Sequence, residues 1–97
     1  MGRVVVNGQC YEWDDEKRRR TQRKHGVDFA DLPAALEADA IFEEDLDHSS
    51  DEDRWRALTS CRGRVVMVVY TWRQDCVRLI TARLASPAET TRYLQRT

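Results

Sequence analysis

Apolar residues along this chain fall in short runs separated by turn-forming residues. Val4-Val5-Val6, then Asn7-Gly8, then Cys10-Tyr11-Glu12-Trp13 predict a strand, a turn and a second extended piece. Asp14 can cap a helix with Asp15 and Glu16 in its first turn, where the helix dipole favours anions. That helix is predicted to run to His25 and stop at Gly26, with Arg23, Lys24 and His25 at its cationic end. A second helix is predicted from the Asp28 cap, turning Phe29, Leu32, Ala35 and Leu36 to the core, or starting later if Pro33 is to sit in its first turn. Ala40 to Glu44, Arg54 to Ser60, Val65 to Trp72 and Cys76 to Arg83 read as strands, the last three joined by turns at Cys61-Arg62-Gly63 and Arg73-Gln74-Asp75. Ser86 with Pro87 and Glu89 forms the signature of a capped final helix. Consecutive strands with tight turns imply antiparallel hairpins. The predicted class is α+β: an antiparallel β-sheet with N-terminal helices and a C-terminal helix, in one domain over residues 1–97.

Composition narrows the class further. Ninety-seven residues support one modest core, and 41% apolar with 34% charged residues suits a globular domain with a polar surface. No apolar run nears a membrane span and no signal-peptide core is present, so a cytoplasmic protein is expected. Cys10, Cys61 and Cys76 make no CxxC pair, and His25 and His48 lie at no ligand spacing, so neither a metal site nor a cofactor is expected. Each cysteine reads as a small, partly buried hydrophobe in a reducing compartment.

Net charge conceals its distribution. The total is -1, yet residues 1–27 carry +3, residues 28–53 carry -11 with no Lys or Arg, and residues 54–97 carry +7. Fourteen of the sixteen basic residues are Arg, whose planar fork binds phosphate bidentately. Such segregation predicts a dipolar surface able to steer a polyanion. Folding can also bring the opposite segments together, so that they neutralise each other.

Two stretches resemble the BrnT family of toxins. Trp13-Asp14, Lys17, Lys24-His25-Gly26-Val27 and Phe29 resemble its opening; Arg62-Gly63-Arg64, Val68-Val69-Tyr70-Thr71, Arg78, Ala82-Arg83, Glu89 and Tyr93 resemble its second half. The resemblance covers roughly residues 11 to 95. It implies a RelE-like fold, a ribonuclease activity, and neutralisation by a BrnA-type antitoxin that contacts DNA on the pair's behalf. Three departures stand out. Thr21 replaces the usual Asn, Thr81 replaces a common Ser, and Arg18-Arg19-Arg20 stands where small or apolar residues are usual.

Metal-free RNA cleavage needs a base for the 2′-hydroxyl, cationic stabilisation of the phosphorane and a proton for the leaving oxygen. Lys17, Thr21 and Lys24 share one helix face, which could present ammonium groups to phosphate or remain a solvated basic face. Lys24 becomes an acid or base if burial lowers its pKa. His25 titrates near neutrality, or simply bonds the helix-terminal carbonyls. His48 lies in an acidic stretch that would repel RNA. By strand alternation Arg83 shares a face with Val77, Leu79 and Thr81, while Arg78 points the other way.

Arg83, favoured by the resemblance, is then a phosphate clamp or a salt-bridge partner of Glu89. Tyr70 and Tyr93 could stack on bases, donate a proton or fill the core. Trp13, Trp55 and Trp72 read as core or rim aromatics, with Trp13 the best placed to reach RNA because basic residues follow it. Arg62 and Arg64 read as phosphate contacts or edge-strand protection. The candidate catalytic residues are Arg83, Lys24, His25, Glu89 and Tyr93. The candidate RNA-binding residues are Trp13, Lys17, Arg18, Arg19, Arg20, Arg62, Arg64, Tyr70 and Arg78. An alternative function is a non-catalytic, toxin-like subunit that binds a DNA-binding antitoxin and assists repression.

Overall fold

The computed structural model describes residues 1–44 and 54–96. Strands β1 (Gly2–Val6) and β2 (Gln9–Trp13) precede helix α1 (Asp15–His25), a 3₁₀ turn (Phe29–Asp31) and helix α2 (Leu32–Ala38). Strands β3 (Ala40–Glu44), β4 (Trp55–Cys61), β5 (Arg64–Arg73) and β6 (Cys76–Leu84) follow, and helix α3 (Pro87–Leu94) comes last. The α+β expectation holds, with two qualifications. The helices expected at the N-terminus follow a β-hairpin, and the sheet is mixed rather than antiparallel. Its order is β1-β2-β6-β5-β4-β3, and β2 pairs with β6 in parallel. That pairing joins segments far apart in sequence, so no turn signal announces it.

Local chemistry accounts for the boundaries. Asp14 caps α1 by accepting from the Glu16 amide at 2.8 Å, and Gly26 closes it with φ 69°. Asp28 caps the 3₁₀ turn instead of a helix, and α2 begins at Leu32, which places Pro33 in the first turn, where a missing N–H costs nothing. The hairpin turns at Asn7-Gly8, Arg62-Gly63 and Gln74-Asp75 hold both central residues at positive φ, the two-residue geometry that matches strand twist.

The sheet divides the molecule into two sides. One face, here the helical face, packs Tyr11, Trp13, Val68, Tyr70, Val77 and Leu79 against Val27, Phe29, Leu32 and Leu36. The other, the α3 face, packs Leu58, Met67 and Val69 against Tyr93. Gly2 is required by the first core: a Cβ there would stand 2.0 Å from the Trp13 indole nitrogen.

Two of the three cysteines depart from expectation. Cys10 and Cys76 lie directly opposite each other on β2 and β6 and are joined in a disulfide, while Cys61 is free and buried. Sixty-six residues separate the two in sequence, and only the parallel pairing makes them neighbours. Among the described residues no helix is long and apolar enough to cross a membrane.

Candidate functional site

The parity of β6 decides which side chains share a face. Val69 pairs with Thr81 but Tyr70 pairs with Leu79, so Ile80 is an extra residue in a β-bulge. The bulge reverses the alternation beyond it. Arg83, opposite Met67, and Arg78, opposite Thr71, therefore lie on the same α3 face, away from Val77 and Leu79. Strict alternation had separated these two arginines. A bulge carries no clear mark in a strand of this composition, so the sequence could not show it.

Arg83 is held on that face by α3. Its Nη1 and Nη2 donate to the two Glu89 carboxylate oxygens at 2.8 and 3.0 Å, and Nη1 also donates to the Leu84 carbonyl at 3.1 Å. Glu89 in turn accepts from the Ser86 amide at 2.8 Å, completing the capping box with the Ser86 hydroxyl. The Arg83 guanidinium beside it, with the backbone bond, lowers the Glu89 pKa from 4.5 to about 2. Glu89 is thus an anion throughout the neutral range and cannot serve as a proton donor there. The Arg83 side chain stays 39% exposed. Of its five N–H groups, three are engaged, leaving two to point at an incoming anion.

A second pair lies further along the same strand. Arg78 Nη1 donates to Glu12 on β2 at 2.5 Å, and both side chains are largely buried. At ~3.3 Å per residue the two arginines stand roughly 15 Å apart along β6. The register adds Arg3, Arg56 and Arg73 to this face, and α3 adds Arg92, which shares Glu43 with Arg56 at 2.9 and 3.4 Å. Among the described residues six arginines here meet three glutamates, so the face is net positive. Arg3, Arg56, Arg73, Arg92 and Glu12 were not among the candidates, although the alternation of Glu12 with Tyr11 and Trp13 was a usable signal.

The other candidates lie elsewhere. Lys24 is exposed and His25 half-buried at the end of α1, on the helical face, so the sheet stands between them and Arg83. Lys17, Thr21 and Lys24 do share one face of α1, on which Thr21 is only 5% exposed, Lys17 half-buried and Lys24 exposed. Arg18 is committed to Asp28 at 2.7 and 3.1 Å, Arg62 to Asp31 at 2.8 Å, and Arg64 to the Gly26 carbonyl at 2.9 Å, where it closes α1. Arg19 and Arg20 are exposed. Trp13 and Tyr70, expected near RNA, are 5% exposed core residues of the helical face, because the strand alternation turns them toward Phe29 and Leu32. Burial raises the pKa of Tyr70. Tyr93 shares α3 with Glu89, but its hydroxyl donates to the Asp39 carbonyl at 3.1 Å and Arg96 stacks 3.7 Å above its ring. Thr81 sits half-buried on the Arg83 face, and His48 lies outside the described residues.

One group of possible metal ligands occurs among the described residues, Cys10, Glu12 and Cys76, and its two sulfurs are bonded to each other. What the α3 face offers is a fixed, partly exposed guanidinium in a positive field, the equipment for binding a phosphodiester. Comparison with curated proteins gives no match. A family model does match, over residues 13–89, a span that holds α1, β6 and the start of α3 with both arginine–glutamate pairs except Glu12. By that match the chain belongs to the BrnT family, the ribonuclease toxins of type II toxin-antitoxin systems.

Proposed function

We propose that the chain is an endoribonuclease that cuts RNA on the α3 face without a metal ion, and that a BrnA-type antitoxin neutralises it. The observation that carries this reading is Arg83, fixed by Glu89 with two N–H groups left for a phosphate. A donor held in place before the reaction stabilises the charge that develops on the phosphorane without reorganising. Arg78, bonded to Glu12 about two pleat repeats away, adds to the positive field of the same face. The carboxylates of this face are each committed to arginine, which argues against a metal-binding role for them. The same reading includes the RelE-like arrangement, a cytoplasmic setting, and contact with DNA only through the antitoxin.

One observation favours a second reading, a non-catalytic subunit. Among the described residues no histidine lies on the α3 face, which leaves it without an unperturbed group that titrates near neutrality. Purified protein on a defined RNA separates the two. Cleavage that survives excess EDTA, leaves 2′,3′-cyclic phosphate ends and falls about a hundredfold in Arg83→Ala supports the nuclease. Loss of cleavage in EDTA that magnesium restores removes the metal-free mechanism, and RNA left intact under all conditions favours the non-catalytic subunit.

A further inference from the structure

On the helical face, at the end of the sheet away from α1, aromatic side chains enclose a cavity of about 350 Å³, a size typical of ligand pockets. Tyr11 and Tyr70 form its buried floor, at 2% and 5% exposure. Phe42 and Trp72 form an open rim, at 55% and 50%, and Trp55 completes the wall. Neighbouring walls stand nearly at right angles: Phe42 to Tyr70 at 89° with ring centres 6.3 Å apart, and Tyr70 to Trp72 at 80° and 6.4 Å. Folding alone does not call for two large aromatic rings half in water around an empty space.

The lining has one charged side chain, Glu37 of α2, and no basic one. The Tyr11 hydroxyl donates to the Glu37 carboxylate, and its own pKa is raised, chiefly by burial, so it stays neutral. Aromatic faces carry negative quadrupole potential, and a carboxylate among them reinforces it. RNA phosphates are unfavourable here, and a cation is favoured.

We propose that this pocket is a docking site for a partner protein, and that it takes an arginine side chain of that partner. A planar guanidinium lies flat on one exposed ring face of the rim with its edge toward the next ring, and its fork donates to Glu37. The occupant is a basic segment, matched to Glu37, the one charged side chain of the lining. The site lies across the sheet from Arg83, so a partner can be held here whether or not RNA occupies the α3 face.

The indole N–H resonances of the intact ¹⁵N-labelled chain test this directly, because Trp55 and Trp72 report the pocket while Trp13 reports the core. The probe is a short Gly/Ser peptide with one central arginine. It should shift the Trp55 and Trp72 signals saturably and leave Trp13 in place. The same peptide with citrulline, uncharged and similar in shape, should bind about tenfold more weakly, as should arginine peptide to Glu37→Gln or to the rim variant Phe42→Ala. An unmoved Trp13 signal shows that each variant is folded. No saturable shift at roughly tens of millimolar peptide, equal binding of citrulline, or a single-stranded RNA that moves the two indoles where the peptide does not would each overturn the proposal. None of these readouts involves RNA cleavage, so the result is independent of the nuclease reading.

Discussion

At the scale of single residues, Glu89 has the clearest consequence. Its pKa is lowered from 4.5 to about 2 in the folded chain, chiefly by its bonds from Arg83. A depressed carboxyl pKa adds stability above the unfolded value and loses it as pH falls through the folded one. The contribution should therefore be complete above about pH 5 and should fade between pH 4.5 and 2. Glu89 is buried, but Arg83 is partly in water, so on the order of 2 kcal/mol is a reasonable size after solvent screening. Urea unfolding between pH 7 and 3 should show a steeper loss in the parent than in Glu89→Gln. Parallel pH profiles would mean that the pair contributes nothing to acid sensitivity. The same pair defines what Arg83 can do: a guanidinium bound on one side by carboxylate is oriented, and its free side is the functional one.

At the scale of elements, α3 acts as a bracket. It is eight residues long, and its Ser86 cap, Pro87 and Glu89 set its start. Helices this short are marginal in isolation, so caps and packing decide whether they form. Ser86→Ala removes the bond to the Glu89 amide and should cost about 1 kcal/mol of stability. Because the cap also positions Glu89, the variant should lose RNA affinity beyond what its remaining folded fraction explains. Binding at a temperature where parent and variant are both folded checks this, and unchanged affinity would mean that Arg83 holds its orientation without the cap. Helix α1 is built differently. Thr21 is its one fully buried side chain, and its ends are secured by Asp14, Gly26 and the Arg64 guanidinium. Its arginine run decorates the surface opposite the α3 face, where small or apolar residues would pack more deeply.

At the scale of the molecule, folding partly cancels the charge segregation along the chain. Asp28, Asp31, Asp39 and Glu43 of the acidic stretch each take an arginine from the flanking segments. The α3 face nevertheless keeps an excess of arginine. If RNA lies there and contacts roughly three to five phosphates, log K should fall against log salt with a slope of about -2 to -3.5. Arg73→Gln and Arg83→Gln should each flatten that slope by about 0.7. Arg19→Gln and Arg20→Gln should leave it unchanged, since they project from the other side of the sheet. Equilibrium binding across a salt series distinguishes the faces, and the opposite pattern would assign RNA to α1.

What the sequence determined by itself is what local physics controls. Asp14 and Gly26 delimit α1, Ser86-Pro87-Glu89 starts α3, and the turn dipeptides set the hairpins; each depends on residues within one or two turns of each other. The family resemblance, carried by ordered motifs over most of the chain, was legible for the same reason. What only the tertiary structure decided depends on contacts between distant segments. The parallel β2–β6 pairing brings Cys10 to Cys76 and Glu12 to Arg78, and no local signal encodes a partner some sixty residues away. One inserted residue at Ile80 moves Arg83 to the Arg78 face, because strand side chains alternate and a single extra position reverses every side chain after it. The aromatic pocket draws its walls from β2, β3, β4, β5 and β6 and its carboxylate from α2, six elements that only the tertiary fold brings together.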